Sequence, residues 1–430
     1  MLCPDRGAPV KYTLPCYRDV DLSVTAPPSK SYTHRALITG SIGSGTTILY
    51  EPLDAEDTRL TAQALAALGV PVQWEEDRIT LTGCNGRFPV EKETTLDLDN
   101  SGTSLRLVTS LALLGRHPVV LSGSARMQER PIGPLADALG QIGGLVTFTG
   151  KHGYPPIRVS GHMKGGRVTI DGSMSSQYIS SLLLVAPYAD KEMELVISGS
   201  PASRSYLDIT VDVMRAFGAK VMQEGYCRFV VSNRNRYSGR TCTIEGDYSS
   251  ASYFFAIAAI CGGRVTVTNL EPESVQGDRV FLDALRQMGC SVKYGRTSVT
   301  VERTVPLSGI HFDMSAAPDT VQTLCMVAAV AGTPTTITGI SHLKFKESDR
   351  ITSTAENLRL LGGDVSAEND RITIRPSSLH GGTIDPTNDH RTAMSFAVLG
   401  MGIGGVTIMG AECVRKSYPG FWETLFGVMG

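Results

Sequence analysis

This chain contains few aromatic residues and has almost no net charge. Phe, Trp and Tyr make up 7% of its 430 residues, and the formal net charge is −2. Proteins that bind nucleic acid usually carry a basic stripe or clustered aromatic side chains, and neither is present. We therefore predict no nucleic-acid partner.

Disulfide frames and zinc sites are also not indicated. The nine cysteines are odd in number, scattered, and never spaced as C-x-x-C. Such usage favours reduced thiols in a cytoplasmic protein. No signal peptide pattern begins the chain, and no apolar run reaches the ~18 residues that a membrane-spanning helix needs. We expect a cytoplasmic protein without a bound metal and without a membrane partner.

Several common catalytic motifs are missing. The segment SIGSGTT (41–47) lacks the lysine of a P-loop, and no G-x-G-x-x-G follows a strand pattern. No G-x-S-x-G or H-E-x-x-H occurs, which argues against a serine hydrolase and a zinc protease. The short NSGTS (100–104) offers backbone N–H groups to a phosphate but has none of the charged residues of a known phosphate-binding motif.

The chain instead repeats itself. A helical pattern ending in glycine, followed by a short strand, recurs with its glycines 71–75 residues apart; they are Gly69, Gly143, Gly218, Gly289 and Gly362, and a sixth copy ends at Gly427. Apolar residues at helical spacing indicate amphipathic helices. Glycine after the last turn is typical of a helix C-cap with positive φ.

A second series alternates with the first. Six segments start with small polar residues and then become almost wholly apolar; their markers are Lys30, Gly102, Ser176, Ser250, Asp319 and His390. An all-apolar helix is a buried one, and Ser, Asn or Asp at its start is typical of an N-cap. Six α/β units of this kind predict two domains of three units each, divided near residues 238–246.

The polar starts of the buried helices carry cations. Lys30, Arg35, Arg106 and Arg391 lie at these starts, while the segments ARMQERP (125–131) and KFKESDRI (344–351) add further basic residues. Any one of these side chains, taken alone, is typical of a solvent-exposed charged residue. As a set beside helix N-termini, they predict a site for a small, multiply anionic substrate.

The motifs also carry a family resemblance. PSKSYTHRAL, LDNSGTSLRL, RMQERPIGPLADAL, SMSSQYISSLLL, GDYSSASYFFAIA, KFKESDRI and NDHRTAMSFA together, from about residue 25 to 420, resemble the 5-enolpyruvylshikimate-3-phosphate (EPSP) synthase family. The resemblance implies a two-domain inverse α/β barrel of six βαβαββ repeats. Residues 22–243 would form the N-terminal domain, residues 1–21 and 244–430 the C-terminal domain, and the active site would lie in the interdomain cleft.

The implied reaction is transfer of the enolpyruvyl group of phosphoenolpyruvate to the 5-hydroxyl of shikimate 3-phosphate, with release of phosphate. It proceeds by addition and elimination through a tetrahedral intermediate, in the shikimate pathway to chorismate and the aromatic amino acids. The resemblance implies neither metal nor organic cofactor, and we expect a monomer whose partners are these two small substrates.

The resemblance also assigns residues. For shikimate 3-phosphate it implies Lys30, Ser31, Arg35, Ser175, Ser176, Gln177, Ser203, Tyr206, Asp319, His342 and Lys346. For phosphoenolpyruvate it implies Lys30, Asn100, Gly102, Arg130, Gln177, Arg350, Arg391 and Lys416. Two positions depart from the family pattern, since His342 replaces a frequent Asn and Ser205 a usual Pro.

The chemistry needs two proton-handling groups of opposite duty. The hydroxyl must lose a proton as it attacks, and the methylene of phosphoenolpyruvate must gain one. We predict Asp319 as the base and Glu347 as the acid, with Lys30 as the rival acid.

Three other interpretations compete with this one. A UDP-N-acetylglucosamine enolpyruvyl transferase is disfavoured, because residues 122–131 lack its reactive cysteine and Ser31 stands where that family has Asn. A nucleic-acid-processing protein on similar repeats is disfavoured by charge and composition. A non-catalytic relative would have lost Asp319, Glu347 or the arginines, and none is lost.

Overall fold

The structure is a computed structural model that describes residues 10–428. Its α-helices are α1 Lys30–Ile42, α2 Glu56–Ala67, α3 Gly102–Leu111, α4 Gly133–Gln141, α5 Ser176–Val185, α6 Ser205–Ala216, α7 Tyr248–Cys261, α8 Val280–Gln287, α9 Val321–Ala329, α10 Arg350–Leu360, α11 His390–Ile403 and α12 Phe421–Gly427. Its strands are β1 Tyr12–Leu14, β2 Val20–Thr25, β3 Thr46–Tyr50, β4 Val72–Trp74, β5 Arg78–Thr82, β6 Thr94–Asp97, β7 Val119–Ser122, β8 Gly144–Phe148, β9 Ile157–Gly161, β10 Gly166–Asp171, β11 Met193–Ser198, β12 Val221–Glu224, β13 Arg228–Val231, β14 Thr241–Thr243, β15 Gly263–Thr268, β16 Ser291–Tyr294, β17 Ser298–Arg303, β18 His311–Asp313, β19 Thr335–Thr338, β20 Asp364–Ala367, β21 Arg371–Arg375, β22 Gly382–Ile384 and β23 Val406–Ile408.

The described chain divides into two compact units, one of residues 28–245 and one of residues 10–27 with 246–428. The domain boundaries predicted from the sequence, after residues 21 and 243, lie a few residues before the boundaries of these units. Strand β2 crosses the first boundary, and it pairs along its whole length with β15, so residues 22–25 belong to the second unit. The expected linker, residues 238–246, contains a strand, because β14 pairs with β3.

Three four-stranded sheets build the unit of residues 28–245. Their strand orders are β14-β3-β5-β4, β6-β7-β9-β8 and β10-β11-β13-β12. In each sheet the first two strands are parallel and the other neighbours are antiparallel. The second and third sheets follow the βαβαββ order along the chain, whereas the first takes its opening strand, β14, from the far end of the unit.

The second unit repeats this plan with one shorter sheet. Its strand orders are β2-β15-β17-β16, β18-β19-β21-β20 and β1-β23-β22. Strand β2 opens the first of these sheets although it lies far away in sequence. In the last sheet β1 supplies the antiparallel partner of β23, with Tyr12 opposite Ile408. Six repeats therefore occur, but three of them borrow a strand from elsewhere in the chain.

The two predicted helix series are confirmed. Helices α1, α3, α5, α7, α9 and α11 are the apolar ones, and every residue of α7 is buried. Apolar residues of α1, α3 and α5 lie in one hydrophobic core and those of α7, α9 and α11 in another. The five glycines from Gly69 to Gly362 all have positive φ. The sixth differs, because Gly427 is the last residue of α12 and is not in that conformation.

Side-chain caps begin four of the six buried helices. Ser101, Ser175, Asp247 and Asp389 each accept a hydrogen bond from a first-turn N–H group. Helices α1 and α9 begin without a side-chain capping bond. Asp319 lies in a 3₁₀ turn, Pro318–Thr320, just before α9, rather than in the helix itself.

Two features are absent from residues 10–428. None of the helices there is both long and apolar enough to cross a bilayer. In the same residues, no group of three or more His, Cys, Asp or Glu side chains is placed to hold a metal ion.

Candidate functional site

The unit of residues 28–245 gathers charged and polar side chains at the starts of its helices; we call these the helix-start cluster. Its predicted members are Lys30, Ser31, Arg35, Asn100, Gly102, Arg130, Ser175, Ser176, Gln177, Ser203 and Tyr206. Lys30, the first residue of α1, donates from Nζ to Oδ2 of Asp57 at 3.1 Å. Asp57 lies in the first turn of α2 and is buried, so it holds the ammonium group in place.

Arg35 is buried within the same cluster. Its guanidinium donates to Thr210 Oγ1 (2.7 Å) and Ser180 Oγ, and to the carbonyls of Ser31 and Tyr206. Burial lowers the pKa of Arg35 to about 10. In the described chain no carboxylate lies within ion-pair distance of it. A buried cation without a counter-charge is costly, and an anionic ligand would supply that charge.

Arg130 lies against the start of α3. Its Nη1 donates to the carbonyl of Asn100 at 3.2 Å, and the side chain is 3% exposed. A Cβ atom at Gly102 would lie 2.5 Å from Nη2 of Arg130. Only glycine therefore allows the guanidinium to approach the first-turn N–H groups of α3 so closely. A guanidinium beside a helix N-terminus is a favourable arrangement for an anion.

Gln177 connects the starts of two helices. Its side-chain oxygen accepts from Nη1 of Arg106 at 2.7 Å, and its Nε2 donates to Thr103 Oγ1 at 3.0 Å. Its backbone N–H donates to Ser175, the N-cap of α5. These bonds fix Gln177 between α3 and α5, and Arg106 is the residue that orients it.

The remaining members lie around the start of α6. Ser203 has a φ of 56°, a conformation that is uncommon for a residue with a side chain. Ser205 is the first residue of α6, the position at which proline is well tolerated, so replacing the usual Pro leaves the helix start intact. Tyr206 follows, and its carbonyl accepts from Arg35.

The second unit holds a compact ionic group, the carboxylate–arginine cluster, made of Asp319, Lys346, Glu347, Arg350, Asp389 and Arg391. Asp319 accepts from two guanidinium groups, from Arg391 Nη2 at 2.7 Å and from Arg350 Nη1 at 3.3 Å. Nζ of Lys346 lies 3.9 Å from the same carboxylate. Both oxygens of Asp319 are thus occupied by cations.

Arg350 is the centre of this cluster. It donates to Glu347 Oε2 at 2.7 Å and makes two bonds to Asp389, from Nε at 2.8 Å and from Nη2 at 3.2 Å. Burial alone would lower the pKa of Arg350, but the charges of Asp389, Glu347 and Asp319 outweigh it, so the pKa is raised. The charge of Arg350 in turn holds the pKa of Asp389 below its usual value, against the effect of burial.

His342 and Lys416 are the last two predicted residues. His342 lies in the turn Ser341–Phe345 and is buried. Burial, reinforced by the charge of Lys346, lowers its pKa to about 4, so the imidazole is neutral at pH 7. Lys416 ends the turn Ala411–Lys416, which packs against α11, and it is 8% exposed.

The charged segment KFKESDRI is explained by this arrangement. Asp349 is the N-cap of α10 and accepts from the N–H groups of Ile351 and Thr352. Lys346, Glu347 and Arg350 point into the carboxylate–arginine cluster rather than forming a solvated helix face.

Two residues of these clusters were not among the predicted site residues. Asp389 was visible in the motif NDHRTAMSFA, where an Asp before an apolar helix signals an N-cap, but capping does not reveal its bonds to Arg350. Asp57 was visible only as an acidic residue in the first turn of α2. Its pairing with Lys30 depends on how two helices pack, which the sequence pattern does not give.

Comparison with known proteins decides the family. The family model described as EPSP synthase (3-phosphoshikimate 1-carboxyvinyltransferase) matches residues 17–425. The chain belongs to the EPSP synthase family. The predicted family, the two-domain α/β fold class and the predicted enzyme class are thereby confirmed.

Relatives in the EPSP synthase family are similar over nearly their full length. The 3-phosphoshikimate 1-carboxyvinyltransferase of Methanoregula boonei is 63% identical over 417 residues, covering 97% of this chain and 99% of the relative. That of Serratia proteamaculans is 40% identical and covers 94% and 96%. A solved EPSP synthase structure from Acinetobacter baumannii superposes with a TM-score of 0.81 at 28% identity, covering 97% of this chain and 98% of that one.

Proposed function

We propose that this chain is a 3-phosphoshikimate 1-carboxyvinyltransferase, which transfers the enolpyruvyl group of phosphoenolpyruvate to the 5-hydroxyl of shikimate 3-phosphate and releases phosphate. The observation that carries the proposal is the carboxylate–arginine cluster, in which one buried guanidinium contacts both expected proton-handling groups, Asp319 and Glu347. Full-length similarity to transferases of this name supports it.

The helix-start cluster is assigned to shikimate 3-phosphate. Its hydroxyl and amide side chains suit the hydroxyl groups of the substrate, while Lys30 and the uncompensated Arg35 suit its two acidic groups. The assigned residues are Lys30, Ser31, Arg35, Ser175, Ser176, Gln177, Ser203 and Tyr206, together with Asp319, His342 and Lys346 from the second unit.

Phosphoenolpyruvate is assigned to the remaining cations. The residues are Lys30, Asn100, Gly102, Arg130, Gln177, Arg350, Arg391 and Lys416. Arg350 bonds Asp319 and Glu347, and Arg391 bonds Asp319. A phosphate or carboxylate that takes over part of this bonding weakens the hold on the two carboxylates. Substrate binding thus readies them to exchange protons.

Chemistry follows from these assignments. Asp319 accepts the proton of the 5-hydroxyl as its oxygen bonds to C2 of phosphoenolpyruvate, and Glu347 gives a proton to the methylene carbon. The tetrahedral adduct then returns a methyl proton to Glu347 and loses phosphate, which restores the double bond. General acid and base groups of this kind each contribute ~10²–10⁴-fold in rate. Lys30 is the alternative proton donor to the methylene.

The setting of the enzyme is also part of the proposal. We place it in the cytoplasm, as the free thiols of the described cysteines favour, and as a monomer. As the family resemblance implies, the proposal includes no metal or organic cofactor.

A phosphate-release assay tests the function. With phosphoenolpyruvate present, shikimate 3-phosphate should trigger phosphate release, and UDP-N-acetylglucosamine should not. Release with UDP-N-acetylglucosamine alone would assign the chain to the sister reaction. Release with neither would contradict the proposal.

A substitution tests the role of Asp319. Asp319→Ala should lower kcat by at least about a hundredfold while KM for each substrate changes much less. Asp313→Asn, an exposed carboxylate in the same unit, is the matched control and should keep full activity. Large losses in KM as well as kcat would mean that Asp319 mainly holds substrate.

A further inference from the structure

The unit of residues 28–245 contains a cavity of about 310 Å³ that the proposed reaction does not use. Its walls come from the C-terminal ends of the buried helices. Leu113 and Leu114 belong to the 3₁₀ turn that follows α3, and Tyr188 ends the turn Ala186–Tyr188 that follows α5. The helix-start cluster lies at the N-terminal ends of these helices. Since α1 has 13 residues, the two ends are separated by about 20 Å.

One rim of the cavity is fixed by the end of α1. The N–H groups of Cys84, Asn85 and Gly86 donate to the carbonyls of residues 41, 43 and 42. These bonds satisfy carbonyls that a helix end leaves free, and they hold the loop of residues 84–87 in one shape. Gly86 has a φ of 72° and lies against the ring of Tyr188. The cavity is therefore preformed on this side.

Three exposed arginines contribute to the lining of the cavity. Arg87, Arg116 and Arg236 all line the cavity, and none has a carboxylate within ion-pair distance in the described chain. Arg236 lies over the ring of Tyr188 at 5.4 Å. Asp190 is the one acidic residue in this lining, and its Oδ2 lies 2.8 Å from Nε2 of His162. The lining thus has an excess of positive charge.

Other side chains of the cavity lining are largely apolar and buried. Phe88, Met163 and Tyr188 are at least nine-tenths buried. The backbone of Tyr237 is close enough to the Tyr188 hydroxyl oxygen to lower the pKa of that group, but no acceptor for the hydroxyl proton lies within hydrogen-bond distance in residues 10–428. Burial raises the pKa of Tyr188, so its hydroxyl keeps its proton and remains a donor. A buried donor without a partner is unfavourable, and a ligand oxygen would relieve it.

We propose that this cavity binds a small carboxylic acid with an apolar body. The carboxylate suits the planar guanidinium groups of the lining, which bind such groups in a bidentate way. The apolar body suits the interior, and one oxygen of the ligand accepts from Tyr188. The volume lies at the lower end of the ~300–1,000 Å³ range of small-molecule pockets. A bare inorganic anion would leave the apolar part of the lining, such as Leu113 and Leu114, without a contact.

The test measures binding of benzoate to the full chain by ligand-observed NMR or calorimetry. Benzyl alcohol, which lacks the charge, and inorganic phosphate, which lacks the ring, are the comparison probes. We expect benzoate to bind more tightly than either. Tyr188→Phe and the double variant Arg116→Gln/Arg236→Gln should each weaken benzoate binding, the double variant by about tenfold or more. Arg167→Gln, an exposed arginine outside the cavity in the same unit, is the matched control and should bind as the parent does.

Two further measurements separate this site from the transferase site. The cavity variants should keep the transferase kcat and KM, and benzoate should still bind when both substrates saturate the chain. Benzoate binding that persists in the double variant, disappears with the substrates, is matched by phosphate, or is not detected would each overturn the proposal. These binding readouts do not depend on the chain having the proposed activity.

Discussion

Replacing Asp389 by Asn tests whether the charge of this residue, rather than its role as an N-cap, holds the second unit together. Asp389 is fully buried, makes two bonds to Arg350, and accepts from the N–H of Arg391 at the start of α11. Asn caps helices about as well as Asp, so Asp389→Asn removes the charge and retains the cap.

The expected cost follows from what remains around Arg350. Removing one partner of a buried ion pair costs ~3–5 kcal/mol, and Glu347 and Asp319 still offset part of the guanidinium charge. We therefore expect a loss of about 3 kcal/mol in the free energy of unfolding, at the low end of that range. Asp389→Ala also removes the cap and should cost about 1 kcal/mol more.

The assay is urea unfolding followed by tryptophan fluorescence. The chain has two tryptophans, Trp74 and Trp422, and Trp422 lies buried in the second unit. In a Trp74→Phe background the signal therefore reports that unit alone. Asp349→Asn is the matched control, because Asp349 also caps a helix but has no guanidinium partner among residues 10–428, and it should cost less than about 0.5 kcal/mol. Equal, small losses for both variants would refute the reasoning.

Three further predictions concern other parts of the two clusters. Gly102→Ala places a Cβ atom against Arg130, so KM for phosphoenolpyruvate should rise by about tenfold or more in steady-state kinetics, with KM for shikimate 3-phosphate less affected. The lowered pKa of His342, about 4, means that the unfolded chain binds the proton first as the pH falls. Stability is therefore complete above pH ~6.5 and decreases toward pH 4 by up to about 3 kcal/mol, which urea midpoints across this range would show. Asp57→Asn removes the counter-charge of Lys30 and should lower kcat/KM by about tenfold.

Each of these predictions has a control. Gly140→Ala lies in α4, where a Cβ atom meets nothing, and should leave both KM values unchanged. His342→Asn should flatten the pH dependence of stability, and an unchanged pH profile would contradict the assignment to His342. Asp54→Asn breaks only an exposed ion pair with Arg59, so a loss of activity as large as that of Asp57→Asn would remove the special role of Asp57.

The sequence predicted elements whose signals are local. The helix ending before Gly362 follows from apolar residues at helical spacing, and the positive φ of Gly362 follows from its place just after that helix. The pairing of strands that are far apart in sequence could not be predicted from local patterns. Nothing within residues 20–25 indicates that they pair with residues 263–268, because a strand pattern specifies a face and not a partner. The predicted boundary after residue 21 falls inside β2 for this reason.

The kind of site could be predicted from the sequence, but its hydrogen bonds and ion pairs could not. Charged residues at buried helix starts indicated an anion site, and the family motifs gave the positions. The sequence does not reveal that Arg350 bonds three carboxylates, because these carboxylates come from three segments that only packing brings together. The burial of Arg35 without a carboxylate is a similar case, because burial of a charge depends on the completed core.

The borrowed strands have a consequence for synthesis of the chain. Strands β1 and β2 leave the ribosome first, yet their partners near residues 406–408 and 263–268 emerge only much later. Residues 28–245 contain all the strands of their own sheets, because β14 pairs with β3 in the first of these sheets. This unit therefore does not depend on strands that are synthesised later. It can become complete while the leading strands are still unpaired, so nascent chains would carry exposed β-edges beside an already folded body, that of β2 until residues 263–268 emerge and that of β1 until residues 406–408 emerge.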